Sequence, residues 1–343
     1  MSWDYSHENY RYPNSGKMPA GIWILLITII VLIILVLSII ALSNSLLFSP
    51  SSLITREPDN SKDYQDLYVS VKNPHRIYYS NDIRTEPCIN VWFFPNFCKP
   101  RRGHCKTTVL YFHGNSGNIS HRRYVIDICR RFNLNLLLVD YRGYGRSDGT
   151  VSSTSIYQDG ETAYNFLTGQ IDPDNIIIWG ESLGGTVACY IANKYRCRAL
   201  ILLSTFSSLE DVINDMVEPA ILAKGFSWTV NNFFHDMNSK YYLRNVTCPV
   251  VIMHSRTDTL IPYHCSQILF NSVPHSKKVL YTIEGDHSSP RIDEEILKQM
   301  FAFVGIQAEC LDHHIGYVQK TLQKITSDNP GIIPNGGLFG VNI

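Results

Sequence analysis

Gly180-Glu181-Ser182-Leu183-Gly184 constrains this chain more than any other feature. The apolar run at residues 176–179 has the composition of a buried strand. Residues 185–192, Gly-Thr-Val-Ala-Cys-Tyr-Ile-Ala, read as a helix that begins with small side chains. A strand that turns this sharply into a helix forces its middle residue into a strained backbone conformation, and glycine on either side gives the turn room. The serine hydroxyl is then exposed at the carboxyl end of the strand, where it can act as a nucleophile. The pattern alone arises by chance in about one chain in ten of this size. A glycine-rich turn that packs a helix closely on a sheet looks the same. The setting and the partners downstream carry the reading.

A nucleophilic serine needs a base, and the base needs an orienting acid. In the hydrolase fold that uses this turn, the chain order is serine, acid, histidine. The apolar run at residues 249–255 reads as a strand, and Asp258 lies in the loop after it. The strand pattern at residues 278–283 ends in Glu284-Gly285-Asp286-His287. Ser182, Asp258 and His287 therefore come in the required order, each just past a separate strand, at the edge where open α/β sheets gather their catalytic groups. Asp286 adjoins His287 in sequence and reads as a turn residue, because neighbouring side chains rarely face each other. His254 lies inside an apolar strand and reads as a core histidine. Glu181 is too close to Ser182 in sequence to reach round to His287.

A tetrahedral intermediate needs preorganised N–H donors. One is expected to be the backbone N–H of Leu183. The other is expected from the loop after the strand at residues 107–112, His113-Gly114-Asn115-Ser116-Gly117-Asn118, with the N–H of Asn115 as the candidate. Gly114 lets the backbone come close to substrate, and His113 is expected to brace the loop.

That loop, together with residues 135–147 (Asn-Leu-Leu-Leu-Val-Asp-Tyr-Arg-Gly-Tyr-Gly-Arg-Ser), closely resembles the membrane-anchored α/β-hydrolase-domain-containing proteins, nearest the bud-emergence type and the thirteenth vertebrate member. The resemblance covers roughly residues 75–305. It implies the α/β-hydrolase fold, a serine hydrolase site with Ser182, Asp258 and His287 in its triad positions, and an N-terminal membrane helix. It implies no particular substrate. The chain departs from the family pattern in Asp286-His287-Ser288-Ser289-Pro290, where relatives often carry Asn and Asp after the histidine, and in a C-terminal extension. Neither departure removes a triad member.

The remainder divides accordingly. Residues 1–19 form a polar tail, and residues 20–43 are almost wholly apolar and uncharged, long enough to span a bilayer as a single-pass helix. A cleaved signal peptide would have a shorter apolar region and a small-residue cleavage site. Arg11 and Lys17 precede the span while Arg56 and Lys62 follow it, so charge leaves its orientation open. Residues 44–66 read as a linker, residues 67–307 as the α/β-hydrolase domain and residues 308–343 as an irregular Gly/Pro/Asn-rich extension. Antiparallel opening strands are followed by alternating helices and strands, the pattern of a mostly parallel central sheet flanked by helices. Residues 206–247 are rich in apolar side chains and are expected to form a short helical lid, which suits an acyl or lipid-like substrate. Ordinary helix packing on the sheet would give the same composition.

With 30 basic and 30 acidic residues and no basic stripe, no nucleic-acid partner is expected. The expected partners are a small-molecule acyl substrate and the membrane bilayer. The nine cysteines lack metal-ligand spacing, so no metal or other cofactor is expected. Cys98 and Cys105 flank a basic loop where they are able to pair or stay free. Asn118 and Asn245 match glycosylation acceptors, Asn245 the better one because a glycan on Asn118 would obstruct the neighbouring loop. Two function classes follow: a membrane-anchored serine hydrolase acting on an ester, thioester or amide, and a catalytically idle hydrolase fold used for membrane-localised binding. The full triad favours the first.

Overall fold

The computed structural model describes residues 19–55, 57–58, 64–95, 107–216 and 236–306. The chain divides into a unit ending at Leu47 and a second beginning at Phe48. The first contains helix α1, Ala20–Leu47. Its described side chains, residues 20–34 with Ser38 and Leu47, are exposed except for the half-buried Leu47. Among the described residues no helix is long and apolar enough to cross a membrane. The span expected at residues 20–43 therefore rests on sequence.

The second unit is built on a nine-stranded sheet. In chain order, the described strands are the short β1 (Ser49–Pro50), β2 (Gln65–Ser70), β3 (Ile77–Tyr79), β4 (Cys88–Phe94), β5 (Thr108–Phe112), the short β6 (Ser116–Gly117), β7 (Asn135–Val139), β8 (Ile176–Glu181), β9 (Ala199–Leu203), β10 (Val250–Ser255) and β11 (Lys278–Ile283). The large sheet runs β11-β10-β9-β8-β5-β7-β4-β2-β3. From β7 through β11 the pairs are parallel; β4, β2 and β3 join antiparallel at one edge. This is the mostly parallel sheet expected from the alternating pattern.

Strands β5, β9 and β10 are buried along their whole length, which is why they read as unbroken apolar runs rather than alternating ones. Alternation decides which face each side chain serves. Val109, Tyr111, Leu136, Leu138, Ile177 and Trp179 join one core with helices α2 (Arg123–Arg131) and α8 (Glu294–Phe303). The other face is covered by α3 (Ser153–Thr168) and α4 (Leu183–Lys194), which pack on the strands and on each other. Helices α6 (Ser239–Leu243) and α7 (His264–Ser272) continue that layer beside α4.

Strands β7 and β8 flank β5 on opposite sides, so the connections leaving β5 and β7 diverge there. A crevice opens at the carboxyl ends of strands where connections diverge in this way.

Within the expected linker at residues 44–66, helix α1 continues to Leu47 and β1 pairs with β6. Of the expected lid, α5 (Leu209–Met216) and α6 are described; residues 217–235 lie outside the described residues, as do Cys98, Cys105, the tail before Pro19 and the extension after Ile306. Asn118 is fully buried, which leaves no room for a glycan there.

Candidate active site

Ser182 sits between the end of β8 and the start of α4 with φ 50° and ψ −116°. A non-glycine residue there costs about 1–3 kcal/mol and persists only where its surroundings enforce it. The glycines supply that enforcement. A Cβ on Gly184 would lie 2.1 Å from the Phe112 carbonyl oxygen, and one on Gly180 would lie 2.4 Å from the Gly184 carbonyl oxygen. Helix α4 thus packs its first turn directly on backbone at the ends of β5 and β8. The Ser182 N–H donates to the Leu203 carbonyl at the end of β9 (2.9 Å), which ties the turn to the next strand.

Two further loops converge on the hydroxyl. His287 Nε2 lies 3.0 Å from Ser182 Oγ, and His287 Nδ1 lies 2.8 Å from Asp258 Oδ2. A carboxylate only accepts, so Nδ1 carries the proton and Nε2 presents its lone pair to the serine. Asp258 faces the imidazole and Asp286 does not. The Asp286 carboxylate instead accepts from the backbone N–H and the hydroxyl of Thr259, both at 2.9 Å. Thr257 Oγ1 donates across the same gap to the Gly285 carbonyl (2.9 Å). Asp286, expected to be a turn residue, also fastens the histidine loop to the aspartate loop.

Asp258 is buried, and both oxygens of its carboxylate have partners. Oδ1 accepts from the N–H groups of Leu260 (3.0 Å) and Ile261 (2.8 Å). Oδ2 faces His287 and also His254 Nε2, at 3.3 Å. Burial alone would raise this carboxyl; the bonds from His254, His287 and the Ile261 N–H outweigh it and hold the group well below the usual carboxylate range. A depressed folded value means that these bonds stabilise the fold fully above the ordinary carboxylate range, and their effect is lost as pH falls from that range through the depressed value. His254 is fully buried, as a core histidine should be. Sequence reading missed its second role: Nε2 donates toward both Asp258 and the Ile261 carbonyl (2.9 Å). A polar side chain inside an apolar strand, four residues before the acid, is the available signal.

The loop after β5 is held from several sides. His113 Nδ1 donates to the Gly114 carbonyl (2.7 Å). That carbonyl and the Asn115 N–H belong to one trans peptide and point in opposite directions, so the histidine fixes where the N–H aims. Tyr144 hydroxyl donates to the Asn115 carbonyl (2.7 Å) and Tyr141 hydroxyl to the His113 carbonyl (3.0 Å). Behind them, Asp140 Oδ1 accepts from the Ile119 N–H (2.9 Å) and lies 3.2 Å from His113 Nε2. Neither the Asn115 N–H nor the Leu183 N–H donates to another group among the described residues. A Cβ on Gly114 would come 3.4 Å from the Ser182 Cβ, so this backbone runs beside Ser182.

Glu181 points away from the imidazole. Its carboxylate accepts from the hydroxyls of Tyr111 and Tyr124 (2.9 Å for Tyr124) and pairs with Arg122 at 3.4 Å. Burial, reinforced by the Glu181 charge, pushes both phenols well above their usual range, so they remain neutral donors.

A family profile described as serine aminopeptidase, S33, matches residues 103–242. The chain is 31% identical over 208 residues to the uncharacterized protein R595 of Acanthamoeba polyphaga mimivirus, covering 55% of this chain and 69% of that protein. It is 29% identical over 188 residues to the lysophosphatidylserine lipase ABHD12 of Danio rerio, covering 50% of this chain and 48% of that one. Among solved structures, the Pyrococcus furiosus esterase PF2001 superposes with a TM-score of 0.54 at 19% identity, over 75% of this chain and 97% of that chain. At that identity the likeness bears on fold alone, and the fold is that of the α/β hydrolases.

The His287 Nδ1 proton should give a strongly downfield proton resonance. It should vanish in Asp258→Ala and survive in Asp286→Asn. Loss in the Asp286 variant alone would contradict this geometry.

Proposed function

The chain belongs to the α/β-hydrolase domain family, and on that footing we propose that it is a serine hydrolase cleaving an ester, thioester or amide. The observation that carries the reading is the unbroken hydrogen-bonded series from Ser182 Oγ through His287 to Asp258, at 3.0 and 2.8 Å. Ser182 Oγ attacks the substrate carbonyl carbon as its proton passes to His287 Nε2. Asp258 holds the imidazole in the required tautomer and stabilises the cation that forms. The N–H groups of Leu183 and Asn115 donate to the oxyanion, where one such donor is commonly worth about 10²–10³ in turnover. Collapse breaks the bond to the leaving group, which takes the proton from His287. Water then attacks the acyl-enzyme with His287 as base, releasing the acid and restoring the serine. No step calls for a metal or a cofactor.

The substrate we assign is an acyl or lipid-derived small molecule. Support comes from the apolar residues at 206–247 and from the lipase among the relatives. We assign residues 20–43 the role of a single-pass membrane anchor. Support comes from an uncharged apolar stretch of bilayer-spanning length and from the exposed apolar side chains of α1 at residues 22–34. Exposure on every side is what an apolar helix shows when its partner is lipid.

A fluorophosphonate probe should label the protein at Ser182, and Ser182→Ala should abolish both labelling and turnover of short acyl esters. Asp258→Asn should lower turnover by about 10³–10⁴, and Asp286→Asn far less. Equal labelling of wild type and Ser182→Ala would sink the assignment. For the anchor, an alkaline carbonate wash should leave the full-length protein in the membrane pellet. Its release into the supernatant would show that residues 20–43 are not an anchor.

A further inference from the structure

The segment that follows α1 is sewn to the loop that carries Asn115. Ser49 N–H donates to Asn115 Oδ1 at 2.9 Å. Ser49 and Pro50 pair in parallel with Ser116 and Gly117, and the Ser51 N–H donates to the Gly117 carbonyl (3.3 Å). Asn118 Nδ2 reaches back to the carbonyls of Ser51 (2.9 Å) and Leu53 (2.8 Å). Thr55 N–H donates to Ser120 Oγ (3.0 Å). The Ser51 carbonyl also accepts from the N–H of Gly145 (2.9 Å), one residue past Tyr144. Phe48 is buried, and Ile54 packs against the core cluster, so the segment is pinned near both ends.

We propose that residues 48–55 are a strap that holds the Asn115 loop in its oxyanion-binding geometry, with Ser49 as a positioning residue acting through Asn115. The proposal rests on the serine hydrolase reading above. Its physical basis is the way the loop is held. The carbonyls on either side of the Asn115 N–H are fixed by His113 and Tyr144 from within the sheet. The Asn115 side chain is fixed by the strap alone among the described residues. The buried Asn118 spends its amide on the strap while its Oδ1 accepts from the Ser120 N–H (2.9 Å) and hydroxyl (2.6 Å). Without the strap, Asn115 Oδ1 and the Asn118 amide lose partners on one whole side of the loop, and the loop is free to relax. A displacement of about 1 Å at a reacting centre costs roughly 10²-fold in rate. One residue, Phe48, separates the end of α1 from Ser49 in sequence.

The strap makes a transition-state contribution and leaves the Ser182–His287–Asp258 series untouched. This separates it from a purely structural role. The test uses the full-length chain, p-nitrophenyl butyrate as substrate and an alkyl trifluoromethyl ketone as the inhibitor whose bound alkoxide occupies the oxyanion site. Ser49→Pro removes the N–H donor at an exposed position, and Ser49→Ala keeps it. Asn118→Ala removes the other main tie. Insertion of Gly-Ser-Gly-Ser between Leu47 and Phe48 lengthens the tether and spares the strap.

Ser49→Pro and Asn118→Ala should lower kcat by about 10- to 100-fold with KM within about twofold, and weaken the ketone by a similar factor. The downfield His287 resonance should remain in both. Ser49→Ala and the insertion should behave as wild type. Wild-type kcat and ketone affinity in a folded Ser49→Pro or Asn118→Ala protein would overturn the strap alone. A fall in Ser49→Ala equal to that in Ser49→Pro would overturn the role of the N–H. A wild-type protein inert to fluorophosphonate and ester alike would overturn the hydrolase reading, and the strap with it.

Discussion

The strained turn at Ser182 is the constraint on which the site depends. A side chain held at φ 50° and ψ −116° survives only where the backbone is locked on both sides. The lock is steric: α4 presses Gly184 against the Phe112 carbonyl, and Gly185 lies so close to Thr205 that a Cβ there would fall 2.0 Å from its hydroxyl oxygen. This packing joins the ends of β5, β8 and β9 in one place. The loops leaving those strands are thereby brought to a common centre, and the serine is aimed away from the sheet.

Once that turn is fixed, the other groups need only local supports. Asp258 is held by N–H groups of its own loop and by His254 from its own strand. The His287 loop comes off β11, the last strand at one end of the sheet among the described residues, and it is clipped to the Asp258 loop through Asp286 and Thr259. The Asn115 loop is braced by His113, Tyr141 and Tyr144 from within and by residues 48–55 from without. Glu181, next to Ser182, is drawn off by Arg122 and two phenols, so it does not compete with Asp258 for the imidazole. Burying a carboxylate this near the reacting atoms would be costly without those partners.

The sheet and the convergence of Ser182, Asp258 and His287 were legible in sequence. Buried parallel strands are unbroken apolar runs, and the groups at their carboxyl ends are set by chain order. Contacts made by main-chain groups across long sequence separations were not legible. Nothing in the composition of residues 44–66 announces that Ser49 N–H meets Asn115, because the donor is backbone and any residue but proline supplies it. His254 was read as core from its apolar neighbours, which is right about burial and silent about what its ring touches. Asp286 was read as a turn residue because adjacency rules out His287, but adjacency says nothing about Thr259 on the neighbouring loop. The family resemblance implies the fold and the positions of Ser182, Asp258 and His287, and it carries no information on these chain-specific supports.

In the proposed reaction Ser182 carries the acyl group during turnover. Rapid-quench intact-mass spectrometry with p-nitrophenyl butyrate is the decisive measurement. A transient mass increase of one butyryl group, mapped to Ser182, is expected in a protein whose deacylation has been slowed by low temperature. Steady turnover of the ester by wild type with no such adduct, or an adduct of the same size on Ser182→Ala, would contradict it.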